Sequence, residues 1–202
     1  MLILHLLILG FGLCLGTRNI SVQLAEHIIR STLAVIRSTD RIELDMYSEY
    51  IEKNISQCIV SRFLEATVNG SRRTLRTYDK NPPSHLNNID MNISISVSGK
   101  PPYLKIEPET GSLPLYWDKP QYLKYAKVND CIILAPRQKS EGSRNRCCTL
   151  WVLQSGNMNH CENMFKKVCG QGKVVDPSKC NATDYDQAEE VYTDEPEIIN
   201  EC

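Results

Sequence analysis

Apolar side chains between residues 22 and 37, VQLAEHIIRSTLAVIR, recur at steps of three and four, with Val22, Ala25, Ile28, Ile29, Leu33 and Ile36 in one stripe. That is the period of an amphipathic helix. The period then falls to two. In RIELDMYSEY (41 to 50), Ile42, Leu44 and Met46 alternate with Glu43, Asp45 and Tyr47, as in a strand. CIVSRFLEATV (58 to 68) predicts a second strand, and Asn69-Gly70 predicts a reversal into a third, SRRTLRTY. IDMNISISVSG (89 to 99) sets Ile89, Met91, Ile93, Ile95 and Val97 on one face with small or polar residues opposite. Shorter strands are predicted at 103 to 109, 112 to 118 (SLPLYWD), 121 to 128, 131 to 136 and 147 to 154. Residues 158 to 168, MNHCENMFKKV, predict a second helix with Cys161 and Phe165 on one side and Gly170 as its terminator.

The pattern is therefore helix, about eight or nine short strands, helix, closing segment and tail. Closely spaced short strands favour a sandwich or closed barrel over a parallel sheet with crossover helices. An eight-stranded antiparallel barrel with a helix packed outside it fits, and such a barrel can enclose a small ligand.

Composition adds the compartment. MLILHLLILGFGLCLG (1 to 16) is apolar and uncharged apart from His5, and is shorter than the roughly 20 residues a spanning helix needs. It reads as a signal peptide cut near Gly16 or Thr17, with residues 17 to 181 as one domain and 182 to 202 as an acidic tail. Cys14 leaves with the leader, so eight of the nine cysteines remain, an even number suited to disulfides in an oxidising compartment. Sequons at Asn19, Asn54, Asn69, Asn92 and Asn181 fit a secreted glycoprotein. The tail carries eight acids and no base, which leaves 23 bases against 16 acids in the body. With few apolar groups to bury, it reads as a solvated extension, or as a strap over its own basic body or a cationic partner. Nothing resembles a nucleic-acid module, and the chain is expected to be a soluble monomer.

The order of pieces in the second half resembles the salivary lipocalins of ticks, the group that includes the histamine-binding proteins. Tyr47-Ser48-Glu49-Tyr50 and Gln57-Cys58 look like that family's first-strand tyrosines and second-strand cysteine. Asp130-Cys131-Ile132-Ile133-Leu134 looks like its late-strand cysteine motif. Cys148-Thr149-Leu150-Trp151-Val152 is similar to its Cys-acid-Leu-Trp-Val piece, and Cys161, Phe165, Cys169 and Gly170 to the helix that follows. Val175 to Cys180, VDPSKC, resembles its closing Tyr-Asp-x-x-Cys. The likeness covers 41 to 180 thinly and 130 to 180 well. It implies an eight-stranded lipocalin-like barrel with N- and C-terminal helices, and bridges Cys58–Cys180, Cys131–Cys161 and Cys148–Cys169. Cys147 and Cys202 are left as a possible fourth bridge, with a partner on another chain as the alternative for Cys202. It also implies sequestration, in saliva, of a small host mediator, either a biogenic amine such as histamine or serotonin or a lipid. The alternative is a scaffold whose surface binds a host complement or coagulation protein. The family's Asp-Ala-Trp near the mature N-terminus is missing, and the acid that helps amine-binding members hold a cation is Thr149 here.

An organic cation calls for carboxylates in a low-dielectric cavity and an aromatic face. Ordinary packing puts Ile42, Leu44 and Met46 inside; if the other face of that strand turned inward, Glu43, Asp45 and Tyr47 would line the site. Glu65, Asp90 and Glu107 are the remaining strand acids, and Trp117, Tyr122, Tyr125 and Trp151 are candidate aromatic lining. An apolar lining would suit a fatty acid or lipid mediator held by one base, with Arg62, Arg76 and Lys124 as candidates. Catalysis has little to stand on: the histidines His27, His85 and His160 are scattered, and no nucleophile elbow, HExxH or spaced metal set appears. CxxC spacing is absent, so neither a metal nor another cofactor is expected.

Overall fold

Helix α1 spans residues 22–36 in the computed structural model, which describes residues 22–82, 86, 88–136 and 147–181. The leader, Asn19, His85, the basic loop 137–146, the acidic tail and Cys202 lie outside the described residues. Among the described residues no helix is long and apolar enough to cross a membrane.

Among the described residues ten strands follow α1: β1 (Ile42–Tyr47), β2 (Ile59–Ser61), β3 (Phe63–Thr67), β4 (Gly70–Thr77), β5 (Asp90–Ser98), β6 (Tyr103–Pro108), β7 (Gln121–Lys127), β8 (Cys131–Pro136), β9 (Thr149–Leu153) and β10 (Lys173–Val174). A 3-10 helix, Glu49–Asn54, separates β1 from β2, and helix α2 (Met158–Cys169) separates β9 from β10. The sheet runs β1-β2-β4-β5-β6-β7-β8-β9 and returns to β1, where Ile42 faces Leu153 and Tyr47 faces Thr149. β2 and β3 form one strand interrupted at Arg62, and β10 is a two-residue flap on β1. The wall is thus an eight-stranded antiparallel barrel that leaves no open edge around its circumference.

Alternation along each strand sorts the side chains. Ile93 and Ile95 of β5, Ile132 and Leu134 of β8 and Trp151 and Leu153 of β9 enter one inner cluster. Ile133 and Ala135, with Leu150 and Val152, point the other way into a second cluster beneath α2. β8 and β9 are consequently buried on both faces. α2 fits this outer face because Cys161, Phe165 and Cys169 recur every four residues along one side. Its start is capped by Asn157, whose side chain accepts from the His160 amide at 3.1 Å, and Gly170 ends it with φ 85°. Disulfides Cys131–Cys161 and Cys148–Cys169 fasten α2 to β8 and to the start of β9, and Cys58–Cys180 fastens the start of β2 to the closing segment. Cys147 is also disulfide-bonded; its suggested partner Cys202 lies outside the described residues.

α1 closes one end of the barrel. Val35 and Ile36 are fully buried in the inner cluster, with Ile28 and Leu33 against it. Arg37 donates to Gly70 O, Thr67 O and Val68 O, which holds the helix end on the β3–β4 hairpin. Arg73, wholly buried, donates from all its nitrogens: to Ile36 O and Ser38 O, to Asp40 O and Ser61 O, and to Ser61 Oγ, at 2.8 to 3.0 Å. All five guanidinium hydrogens thereby meet acceptors, which is what makes such burial tolerable.

Two readings change. Residues 112 to 118 form no strand; they turn, with the Trp117 amide donating to Pro114 O at 2.8 Å, and send Leu113, Tyr116 and Trp117 inward. The β3–β4 reversal sits at Val68 and Asn69, one residue before Asn69-Gly70, and Gly70 already faces Ser96 of β5. A Cβ at Gly70 would lie 1.7 Å from the Ile95 carbonyl oxygen, so close strand approach, not turn conformation, requires glycine there.

Candidate functional site

At the end opposite α1, β1 runs into the 3-10 helix, and the segment after it delivers Ile55 to the inner cluster. Asn54, Ile55 and Ser56 form one side of a cavity, Ile59, Leu75 and Thr77 of the barrel wall another, and Leu86, Ile89, Pro114 and Trp117 the rest. Its volume is about 10 Å³, enough for about one water molecule. Among the described residues none that lines it carries a charge.

An aromatic group fills the barrel beside this cavity. Trp117 packs edge-on against Tyr116, with ring centroids 4.5 Å apart, and against Trp151, at 5.3 Å. Tyr116 is pinned at two points: its hydroxyl donates to Cys147 O at 2.8 Å, and its carbonyl accepts from Gln121 Nε2 at 2.8 Å. Burial holds its phenol well above the ordinary tyrosine range. Thr149 is fully buried here, and its hydroxyl accepts from Trp151 Nε1 at 3.1 Å. Where the resembling family has an acid, this chain therefore has a neutral acceptor already occupied by indole.

The acids do not converge on the cavity. A bulge between Leu44 and Met46 breaks the alternation of β1, so Ile42, Leu44 and Tyr47 join the inner cluster while Met46 lies beneath α2. Neither face of the strand is therefore wholly inside. Glu43 pairs with Arg41 and stands opposite Val152, on the outer side of the wall. Asp45 is buried near Glu162 of α2 and Glu43; desolvation first, then those two carboxylates, push its pKa up to about 6. Tyr47 donates to Glu52, and burial followed by the Glu52 charge pushes its phenol up to about 12. Lys173 pairs with the same Glu52 at 2.5 Å, tying β10 to the 3-10 helix. Glu65 pairs with Arg72 at 3.0 Å, Asp90 with Arg76 at 2.7 Å and Glu107 with Lys105 at 2.5 Å, each part of the outer charged surface.

Of the aromatic candidates, Trp117 and Trp151 come together and Trp117 lines the cavity. Tyr125 lies elsewhere. A bulge after Leu123 turns it to the outer face, where its hydroxyl meets His160 Nε2 of α2 at 3.0 Å. Of the bases proposed to hold a lipid, Arg76 is on the outer wall with Asp90, and the inward base is Arg73, committed to the closed end. Tyr116 and Arg73 were not singled out from sequence. For Arg73 a signal existed, because it shares the parity of Leu75 on β4; for Tyr116 none did, since a loop has no period.

Asn54 lies half-buried at the cavity, Asn69 and Asn92 are exposed, and Asn181 is half-buried beside Cys180. Among the described residues no group of three or more histidines, cysteines or acids could hold a metal ion.

No protein-family model and no curated protein matches the chain. Solved structures are similar at low identity. Japanin from Rhipicephalus appendiculatus, solved bound to cholesterol, is 17% identical, with 69% of this chain and 93% of that one covered at a TM-score of 0.50. Apocrustacyanin C1 is 10% identical over 79% and 90%, at 0.46. Lobster apocrustacyanin A1 is 13% identical over 75% and 83%, at 0.41. An eight-stranded antiparallel barrel, closed on itself and flanked by N- and C-terminal helices, gives this chain the lipocalin fold.

Proposed function

We propose that the protein is a secreted, disulfide-fastened lipocalin that sequesters a small apolar molecule of a host, a lipid mediator or sterol-like compound in preference to an amine. The observation that carries this reading is the uncharged lining of the cavity among the described residues: Ile55, Ile59, Leu75, Leu86, Ile89 and Trp117 line it with Asn54, Ser56 and Thr77, while Glu43, Glu65, Asp90 and Glu107 are paired with bases on the outer wall and the buried carboxylate of Asp79 is held by Ser56 Oγ and the amides of Gln57 and Cys58. Transferring an organic cation into such a lining leaves its charge unpaired at a cost of several kcal/mol, on the order of the effective penalty for a buried ion. An apolar molecule meets no such cost. Japanin, of similar fold, was solved with cholesterol bound, which supports the same class.

Calorimetric titration with histamine, serotonin, a leukotriene, arachidonic acid and cholesterol tests the assignment. Saturable binding of a lipid and none of histamine is expected; a submicromolar Kd for histamine overturns it. A second reading rests on the small volume of the cavity, about 10 Å³. In that reading the barrel is a filled scaffold and its surface, with the loop and the tail, binds a host protein. A flat response to the entire panel moves the assignment there.

A further inference from the structure

The segment between β6 and β7 does something a connecting loop need not do. Gly111, Leu115, Asp118, Lys119 and Pro120 are exposed, yet Tyr116 and Trp117 between them are almost wholly buried. The two aromatics differ in how they are held. Tyr116 is hydrogen-bonded through its hydroxyl and its carbonyl to Cys147 and Gln121. Trp117 packs by its ring on Tyr116 and Trp151, and its amide bonds only as far as Pro114, within the same turn. Behind Trp117 lies the cavity, and directly after it Asp118, Lys119 and Pro120 are exposed, so the indole is one residue from solvent.

We propose that Trp117 occupies the ligand's place, and that a neutral, flat apolar molecule binds by exchanging with its indole while Tyr116 and Trp151 stay as the fixed walls. The inference rests on the lipid-binding reading above and deepens it. The cavity beside the indole is water-sized, whereas cavities of about 150 Å³ lined by apolar side chains hold a benzene-sized molecule. Swinging an indole out opens space of that order at the same spot. A flat ring system recovers the edge-on contacts that Trp117 gives up, which a flexible chain does less well. The exposed form of Trp117 is the minor state, so affinity is reduced by the fraction of molecules in which the plug is out. If that fraction is about a tenth, removing the plug tightens binding about tenfold.

The chain has two tryptophans, Trp117 and Trp151, so Trp151→Phe leaves Trp117 as a single reporter. Cholesterol and arachidonic acid are titrated into this variant, into the unaltered protein and into Trp117→Ala, with heat and fluorescence recorded together. The expected result is cholesterol binding with a red shift and greater acrylamide quenching of Trp117, and about tenfold tighter binding by Trp117→Ala. Binding of either probe with unchanged Trp117 emission, or weaker binding by Trp117→Ala, overturns the plug and leaves the lipid-binding assignment standing. If neither probe binds any of the three proteins, the plug falls, and the lipid-binding assignment falls with it when the leukotriene also fails to bind. Should Trp117→Ala or Trp151→Phe fold poorly, the emission of the unaltered protein still separates the outcomes, because an indole driven into water shifts the summed spectrum.

Discussion

Arg73 shows how little a residue's type says about its position. Its guanidinium is away from water, which pulls its pKa down to about 10, and its five bonds join the end of α1, the loop after it and β2. Arg73→Met would fill much of the volume but leave the carbonyls of Ile36, Ser38, Asp40 and Ser61 without those donors. A loss of about 3 kcal/mol is expected, seen as a lower urea midpoint with an unchanged slope. Asp45 gives the opposite case, a buried carboxyl that the fold holds badly. It faces Glu43 of its own strand and Glu162 of α2, whose charges are shared with Arg41 and Lys166. Its pKa rises from 3.8 to about 6, so the folded state binds the proton more tightly than the unfolded chain. The resulting stabilisation is complete below about pH 3.8 and is lost as pH climbs through about 6. Asp45→Asn should therefore be more stable than the parent by about 2 kcal/mol at pH 7.5, with the gap closing near pH 4. Urea unfolding of both proteins at the two pH values measures the difference and cancels the other carboxyls.

Among the elements, those with an unbroken period were legible in the sequence. Ile93 and Ile95 of β5 point inward as their alternation requires, and Cys161, Phe165 and Cys169 put α2 on the barrel wall. β1 was half legible. Its bulge at Asp45 shifts every later side chain to the other face, so Met46 goes outside and Tyr47 inside. A bulge adds one residue without leaving a compositional trace, and the same event turns Tyr125 outward on β7. SLPLYWD was misread because its apolar residues imitate a strand, although Pro114 removes a ladder donor and the segment serves the interior by its side chains alone. α1 was placed correctly, but its buried face is centred on Ser31, Thr32, Val35 and Ile36, and Val22 is exposed. The helix covers the barrel end with its last turns only. Its stripe was drawn across the full length because hydrophobic spacing carries no information on where the partner surface stops.

In the whole molecule, the candidate site was the least legible part, because it depends on which side of a closed wall each acid takes. The three disulfides that join described residues also differ in reach. Cys131–Cys161 and Cys148–Cys169 close loops with separations of 30 and 21 residues, while Cys58–Cys180 spans 122. Closing the longest loop from an unfolded chain costs roughly 1–2 kcal/mol more than closing either short one. During reoxidation of the reduced protein, trapping with an alkylating agent should find the two α2 bridges before Cys58 and Cys180 are joined. Early accumulation of a species holding Cys58–Cys180 alone would contradict this order. On a ribosome the asymmetry is absolute: Cys58 emerges ahead of every other cysteine of the barrel and its partner is the last of them. Any chain that stops before residue 180 has to leave Cys58 free or wrongly joined, so an unfinished molecule advertises itself as a reactive thiol.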